Sequence, residues 1–264
     1  MVLKRIITAL ILAPIAVALT VFLPNVWFTL LIGLVFLFGL REWHHLSGCD
    51  GKDAIFAGGL FVGLMLVLYQ SSDGLYFVSA LGAAYWFFQV FSLKTWTTVT
   101  RRNSFIFIFS SVTVLLSAWA ALVLLHQYTP QGPIMAIGFM AAIWAADSFA
   151  YFVGKAYGKR KLAPHISPGK TVEGVVGGAV GSVLFAILFC YFSPFMSFQT
   201  GVLWSGLVFL AALISVVGDL YESRLKRSAG EKDSGTLLPG HGGVLDRIDG
   251  LVAATPVFVA LFLS

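Results

Sequence analysis

Apolar and polar positions alternate along the chain on a long period, leaving nine apolar runs at 6–23, 26–40, 54–70, 75–93, 104–126, 133–153, 172–192, 202–220 and 245–264. Most approach the roughly 20 residues that an α-helix needs to cross a hydrocarbon core about 30 Å thick. The runs lack the two-residue alternation of a barrel strand, and open strands would leave backbone amides unpaired in lipid. The pattern therefore predicts an all-α fold: a polytopic integral membrane protein of about nine transmembrane helices.

Composition strengthens this picture. The chain is 58% hydrophobic and only 11% charged, with a mean hydropathy of +0.90, whereas soluble domains are about 45–50% apolar. The net charge of +5 would suit a nucleic-acid partner, but the positions of the charges exclude one. All 17 Lys and Arg fall on alternate connections: Lys4 and Arg5; Arg41 and Lys52; Lys94, Arg101 and Arg102; Lys155, Lys159, Arg160, Lys161 and Lys170; Arg224, Lys226, Arg227, Lys232 and Arg247. The connections around Pro24, Ser71, Gln131 and Ser197 carry none. Basic connections stay in the cytoplasm, so the N-terminus is expected there and the C-terminus on the opposite side. The parity also supports nine helices, since one more or one fewer would break it. Lys4, Arg5 and the following run also fit a signal peptide, whose loss would leave the remaining orientation unchanged. Cys49 and Cys190 lie in different regions with no CxxC spacing and suggest neither a disulfide nor a metal site.

Polarity divides the chain. Over 1–132, about five helices hold mainly Ser and Thr as their polar residues; over 133–264, about four helices with two charged cytoplasmic loops form the expected catalytic region. In the first part, Arg41 to His45 close the second run. Successive helical residues diverge by about 100°, so His44 and His45 are poorly placed to share an ion. With Trp43 they read as an interfacial belt, as does His126. Trp86, Trp96 and Trp119 read as packing or interface residues.

In the second part, Asp147 lies inside an apolar run, where a carboxylate costs at least about 2.5 kcal/mol. It calls for a salt bridge to a neighbouring helix, or for a place near a site where it orients a lysine or a metal-bound water. The next loop ends Ser167-Pro168-Gly169-Lys170-Thr171. It imitates a nucleotide-binding P-loop, but Pro164 stands where that motif needs glycine and a membrane helix replaces the strand. Its pieces still suit a phosphate at the membrane surface: a turn at Pro168-Gly169, two hydroxyls, one cation and the amides of a helix start. Non-specific contact with anionic headgroups is the plainer account. Gly174, Gly177, Gly178 and Gly181 then form a small-residue face for close helix packing, of a kind that would also suit a homodimer.

The densest charge follows at 223–250, SRLKRSAGEKDSGTLLPGHGGVLDRIDG. On helices, Asp219 and Glu222 would share a face, as would Asp246 and Asp249. Such carboxylates are hard oxygen ligands of the kind Mg²⁺ uses when it joins protein to substrate phosphates. Lys226, Arg227, Lys232 and Arg247 would neutralise further phosphate oxygens. The glycines around His241 would let backbone amides approach an anion, while His241 bonds a phosphate or shuttles a proton. The positive-inside rule explains the cations here but not the four carboxylates among them.

Ser223, Lys226, Arg227, Lys232, Asp233, Pro239, His241, Gly242, Gly243, Asp246, Arg247 and Asp249, in this order and spacing, resemble the defining motif of the phosphatidate cytidylyltransferases, the CDP-diacylglycerol synthases. A second zone agrees: Asp147-Ser148, Tyr151, Gly154-Lys155, Lys161 to Pro164, Ser167 to Thr171 and Glu173-Gly174. One departure is Val172, where the family pattern usually has Trp. The resemblance implies Mg²⁺-dependent reaction of CTP with phosphatidate to give CDP-diacylglycerol and pyrophosphate, at the cytoplasmic side of a bacterial inner membrane.

On that basis Asp219, Asp246 and Asp249 are expected to hold metal, with room for a second cation. Lys226, Arg227, Lys232, His241 and Arg247, beside Ser223, are expected at the CTP phosphates, and Lys226 and His241 also in the chemistry. Ser167, Lys170 and Thr171 are expected at the lipid phosphate, with Asp147 and Asp233 standing behind these groups. Two other classes share some of these features. An ion- or proton-coupled transporter would use Asp147 and Asp219 as relays, although its charges should gather near the bilayer midplane. A polyprenol kinase or nucleotidyltransferase is the other.

Overall fold

The computed structural model describes residues 13–49, 51–93, 96, 104–237 and 242–264. Among them are nine helices: α1 (Ala13–Phe22), α2 (Asn25–Leu46), α3 (Gly51–Leu68), α4 (Ser72–Ser92), α5 (Ser104–Gln127), α6 (Gly132–Tyr157), α7 (Val172–Phe192), α8 (Phe198–Ser228) and α9 (Leu245–Phe262). Seven of them, α2 to α8, are long and apolar enough to cross a membrane. In α9, Asp246, Arg247 and Asp249 interrupt the apolar sequence. The polytopic all-α expectation is borne out. Lys4, Arg5, Lys94, Arg101, Arg102 and His241 lie outside the described residues.

The helices wrap around α5 and α9. Almost every residue of α5 from Ser111 to His126 is buried, and α9 is buried from Gly250 to Ala260, so both are apolar on all sides, as central helices must be. Pro256 interrupts α9. It has no N–H, which frees the carbonyl four residues back, and Trp86 of α4 donates its indole N–H to that oxygen, Val252 O, at 3.1 Å. An otherwise unpaired carbonyl in an apolar interior is thereby satisfied. Gly82 lets α4 approach closely, since a side chain there would meet Ser117 and Pro256. Outward faces carry Phe22, Ile55, Phe88, Phe91, Tyr191 and Phe198, all strongly exposed, a surface that suits lipid contact.

Several sequence expectations are corrected here. Trp43, His44 and His126 are buried, not interfacial. His44 Nε2 pairs with Ser111 Oγ at 3.0 Å, joining α2 to α5. His126 contacts Asn25 Oδ1 at 2.9 Å and Thr20 O at 3.0 Å, and stacks on Phe28 with 3.9 Å between centroids. Inside the bundle both ring nitrogens of His126 are bonded, as buried polar groups generally are, whereas His44 is bonded through Nε2 alone. Trp86 and Trp119 are packing residues, as expected.

Two helices run past the ends of their apolar sequence, α2 to Leu46 and α8 to Ser228, so the first part of the charged stretch is helical. A two-stranded hairpin, β1 (Lys161–Ala163) and β2 (Ser167–Thr171), connects α6 to α7. The chain turns at 164–166 and not at Pro168-Gly169. Ala163 pairs with Ser167 and Lys161 with Thr171, so 168–170 bulge opposite a single residue. A bulge accommodates Pro168, which has no amide to give the ladder.

The glycine row of α7 packs against α6 of the same chain. A Cβ at Gly174 would meet Ala150 O, one at Gly178 would meet Ala146 O, and those at Gly177 and Gly181 would meet Val153 and Phe149. That face is therefore filled within the chain and does not speak for a dimer.

Candidate active site

The elements above bring the charged ends of α2, α6, α8 and α9 and the β-hairpin to one end of the bundle. Gly218 and Gly250 set the crossing of α8 and α9, because a Cβ at Gly218 would meet Asp249 O and Ala253, and one at Gly250 would meet Ser215. This close approach gathers Asp219 and Glu222 of α8 with Asp249 of α9, their ligand atoms within 4.8 Å of one another. Among the described residues this is the one place where three potential metal-ligand groups converge.

Each α8 carboxylate of the group is paired with a lysine. Lys170 Nζ, on β2, lies 2.5 Å from Asp219 Oδ2, and Lys226 Nζ lies 2.5 Å from Glu222 Oε2. Glu222 and Lys226 are four apart on one helix, the spacing that puts side chains together. Ser223 donates to Asp219 Oδ1 at 3.3 Å. Asp249 Oδ1 accepts the Gly250 N–H at 2.8 Å. Asp147, on α6, interacts electrostatically with Asp219, Lys170 and Arg247, and its side chain is reachable from outside the bundle. It stands near the site, the second of the two readings its position allowed.

Three carboxylates this close repel one another, and two lysines leave negative charge in excess. Hard oxygen donors with such an excess fit a divalent cation of the Mg²⁺ type, which commonly joins one or two carboxylates to substrate phosphates.

Asp246 is placed differently from the expectation. It lies one turn nearer the end of α9 than Asp249, a rise of about 4.5 Å, and is not among the three converging groups. Its Oδ1 accepts from Lys226 at 2.6 Å. Its Oδ2 accepts the N–H groups of Ser234 and Gly243, each at 2.8 Å, and lies 3.0 Å from Ser234 Oγ. Lys226 is thus held between Glu222 and Asp246.

The glycine turn also differs from expectation. The Gly243 N–H, expected to face an anionic ligand, is bound by Asp246, and the Val244 and Leu245 N–H groups that follow are bound by Glu42 of α2, at 2.9 and 2.8 Å. Gly242 has φ +82°, a left-handed conformation that favours glycine, and a Cβ there would meet Asp246 and Asp233.

The other expected residues are dispersed around this centre. Arg227 donates to Ile166 O at 3.4 Å and Glu231 O at 3.1 Å, bracing the end of α8 against the hairpin. Lys232 and Asp233 line a cavity of about 650 Å³, with Arg41, Glu42, His45 and Ser234. Arg247 is exposed on the first turn of α9 and Ser167 opens β2.

Thr171 is a correction. Its buried hydroxyl accepts the Gly174 N–H at 3.1 Å and caps α7, and its side chain lies against Gly154, Gly158 and Gly174, so it is turned into the α6–α7 junction.

Sequence reasoning left Glu222 out of the metal set and gave Glu42 and Ser234 no role. The signal for Glu222 was its spacing from Asp219. Glu42 had none beyond being an acid at a helix end.

Comparison with known proteins identifies the family. Residues 3–264 match the sequence family described as "Cytidylyltransferase family". A phosphatidate cytidylyltransferase of Pseudomonas aeruginosa is 41% identical over 266 residues, covering 98% of this chain and 96% of the relative. Its counterpart from Haemophilus influenzae is 35% identical, covering 97% and 96%, and that from Thermotoga maritima is 34% identical, covering 98% and 95%.

Proposed function

The chain belongs to the cytidylyltransferase family, and from that premise we propose that it transfers the cytidylyl group of CTP to phosphatidate, giving CDP-diacylglycerol and pyrophosphate. It is an integral membrane protein, and its proposed place is the bacterial inner membrane with the charged end of the bundle in the cytoplasm. The observation that carries the reading is the group Asp219, Glu222 and Asp249 with its two lysines, at the end of a membrane bundle where a lipid and a soluble nucleotide can meet.

In the reaction an oxygen of the phosphatidate phosphate forms a bond to the α-phosphorus of CTP, and the bond from that phosphorus to the β-phosphate oxygen breaks. The attacking phosphate is already anionic near neutral pH, so no strong base is needed. Catalysis then rests on positioning and charge neutralisation. We assign the cation to Asp219, Glu222 and Asp249; when bound, Mg²⁺ would neutralise nucleotide phosphate oxygens and tie them to these carboxylates.

Lys170, on the hairpin beside Asp219, is the group we assign to the lipid phosphate, with Ser167. Lys226 is fixed between two carboxylates and keeps Glu222 and Asp246 from repelling each other; Asp246 acts through it. Arg247 and Lys232 are the exposed cations proposed for the nucleotide phosphates, and Asp147 orients Lys170 and Arg247. The part 133–264 carries this chemistry in our reading, and 1–132 supplies α5 and the surrounding supports.

The test is product formation. Purified protein in detergent, given CTP labelled in its base, phosphatidate and Mg²⁺, should yield a lipid-soluble labelled product and equimolar pyrophosphate. Absence of that product across all Mg²⁺ concentrations refutes the assignment.

A further inference from the structure

Glu42 sits on α2, in the half of the chain that has no share in the chemistry described above. Its carboxylate nonetheless makes three contacts with the charged segment: Oε1 accepts Val244 N–H at 2.9 Å, while Oε2 accepts Leu245 N–H at 2.8 Å and the Ser234 hydroxyl at 2.7 Å. The start of α9 has no capping side chain of its own. Glu42 supplies that cap from another helix, binding free amides with an anion where the helix end favours one.

The backbone is shaped around this carboxylate. A Cβ at Gly235 or at Gly243 would run into it. Ser234 carries the contact onward. Its hydroxyl lies 3.0 Å from Asp246 Oδ2, and it accepts the Asp246 N–H at 3.3 Å. From Asp246 the chain of contacts runs through Lys226 to Glu222, one of the three converging carboxylates.

We infer that Glu42 is a positioning residue for cytidylyl transfer: by holding Ser234 and the start of α9 it fixes Asp246 against Lys226, and so fixes Lys226 against Glu222. The inference rests on the transfer reaction proposed above. Glu42 touches neither substrate nor cation in this role, so its loss should act on turnover more than on substrate binding.

The experiment uses the full chain in detergent, with Glu42→Gln, Ser234→Ala and the double variant. Each is assayed for kcat, for KM towards CTP and phosphatidate, and for monodispersity and thermal melting. Glutamine keeps the shape of Glu42 but gives up the charge and one acceptor, so kcat should fall about thirtyfold, since hydrogen bonds to a charged group are the stronger ones. Ser234→Ala removes the hydroxyl's contacts with Glu42 and Asp246 and leaves the backbone N–H bond to Asp246 Oδ2, so kcat should fall about fivefold. The double variant should resemble Glu42→Gln alone, because both residues act along one path. Both KM values should stay within about threefold of the wild type.

Wild-type kcat in well-folded variants overturns the inference, as do losses that multiply independently in the double variant. A lower melting temperature with unchanged kcat per folded molecule shows a merely structural Glu42 and likewise overturns it. Should Glu42→Gln fail to give monodisperse protein, Ser234→Ala decides alone: a fivefold loss in kcat at constant KM supports the role, and wild-type kcat overturns it. Product from the wild type with unaffected variants refutes only this role; no product from the wild type refutes the transfer reaction and the role together.

Discussion

Replacing Asp249 with Asn should make the protein more stable without divalent cation and inactive with it. Its ligand atom lies within 4.8 Å of those of Asp219 and Glu222, and two unit charges at that separation repel by about 3.5 kcal/mol at an effective dielectric near 20. Asp249 faces two such neighbours. Each neighbour is also in contact with a lysine, Lys170 or Lys226, which offsets much of the repulsion. A net gain of about 1–3 kcal/mol in the variant is expected from these opposing terms. Asparagine is the right perturbation, because it keeps the size of the side chain and the Oδ1 that accepts Gly250 N–H at 2.8 Å.

Cation reverses the order. A ligand at about one thousand times its dissociation constant stabilises the folded state by about 4.1 kcal/mol, more than the gain of about 1–3 kcal/mol above, and the variant should lose most of that increment with one of its three carboxylates gone. Thermal unfolding followed by tryptophan fluorescence, in chelator and across a Mg²⁺ series, reads both effects. The variant should melt a few degrees above the wild type in chelator and below it in saturating Mg²⁺, with transfer activity abolished. A variant that melts lower in chelator, or that retains the full Mg²⁺-dependent rise, would refute the account of these carboxylates as a strained cation site.

Substitutions at three further positions test the scaffold. Gly178→Ala puts a Cβ 2.8 Å from Ala146 O and should cost about 1–3 kcal/mol by forcing α6 and α7 apart, read as a lower melting temperature and lower yield. Gly206→Ala, where nothing lies within 4 Å, should be neutral or stabilising by up to about 1 kcal/mol; equal losses at both positions would contradict the packing assignment. Thr171→Val removes the cap of α7 and should cost about 1 kcal/mol while leaving KM for phosphatidate unchanged, and Thr171→Ser should behave as wild type. A selective rise in that KM with Val would instead return Thr171 to the lipid phosphate.

Much of the architecture was legible because lipid imposes a simple rule on sequence. Nine apolar runs give nine described helices, and the described basic residues at the ends of α6 and α8, on the hairpin and at the start of α9 mark one end of the bundle. The failures have physical causes. An apolar run stops where hydrophobicity stops, but a helix stops where its hydrogen bonds stop, so the eighth run ends at Leu220 and the expected helix near Ser223, although α8 continues to Ser228 with Leu225 still buried on it. His44 and His126 looked interfacial because sequence shows polarity but not partners, and their partners, Ser111 and Asn25, lie 67 and 101 residues away. Spacing alone put Asp246 beside Asp249. It could not show that Lys226 and the Ser234 and Gly243 amides would claim Asp246 first.

The length of α8 gives the site its level in the membrane. At 1.5 Å per residue its 31 residues extend about 46 Å, well beyond a hydrocarbon core of about 30 Å. Measured from Phe198, whose helix start is capped by Ser197, Asp219 comes about 32 Å along, near the far edge of that core, and Lys226 about a further 10 Å beyond it. With Phe198 at one edge of the core and α8 along the membrane normal, the lysine-paired carboxylates would sit where apolar surroundings give way to water. Deeper placement would raise the cost of each ionised group; placement further out would leave the lipid phosphate proposed for Lys170 no path to it without lifting its acyl chains from the bilayer.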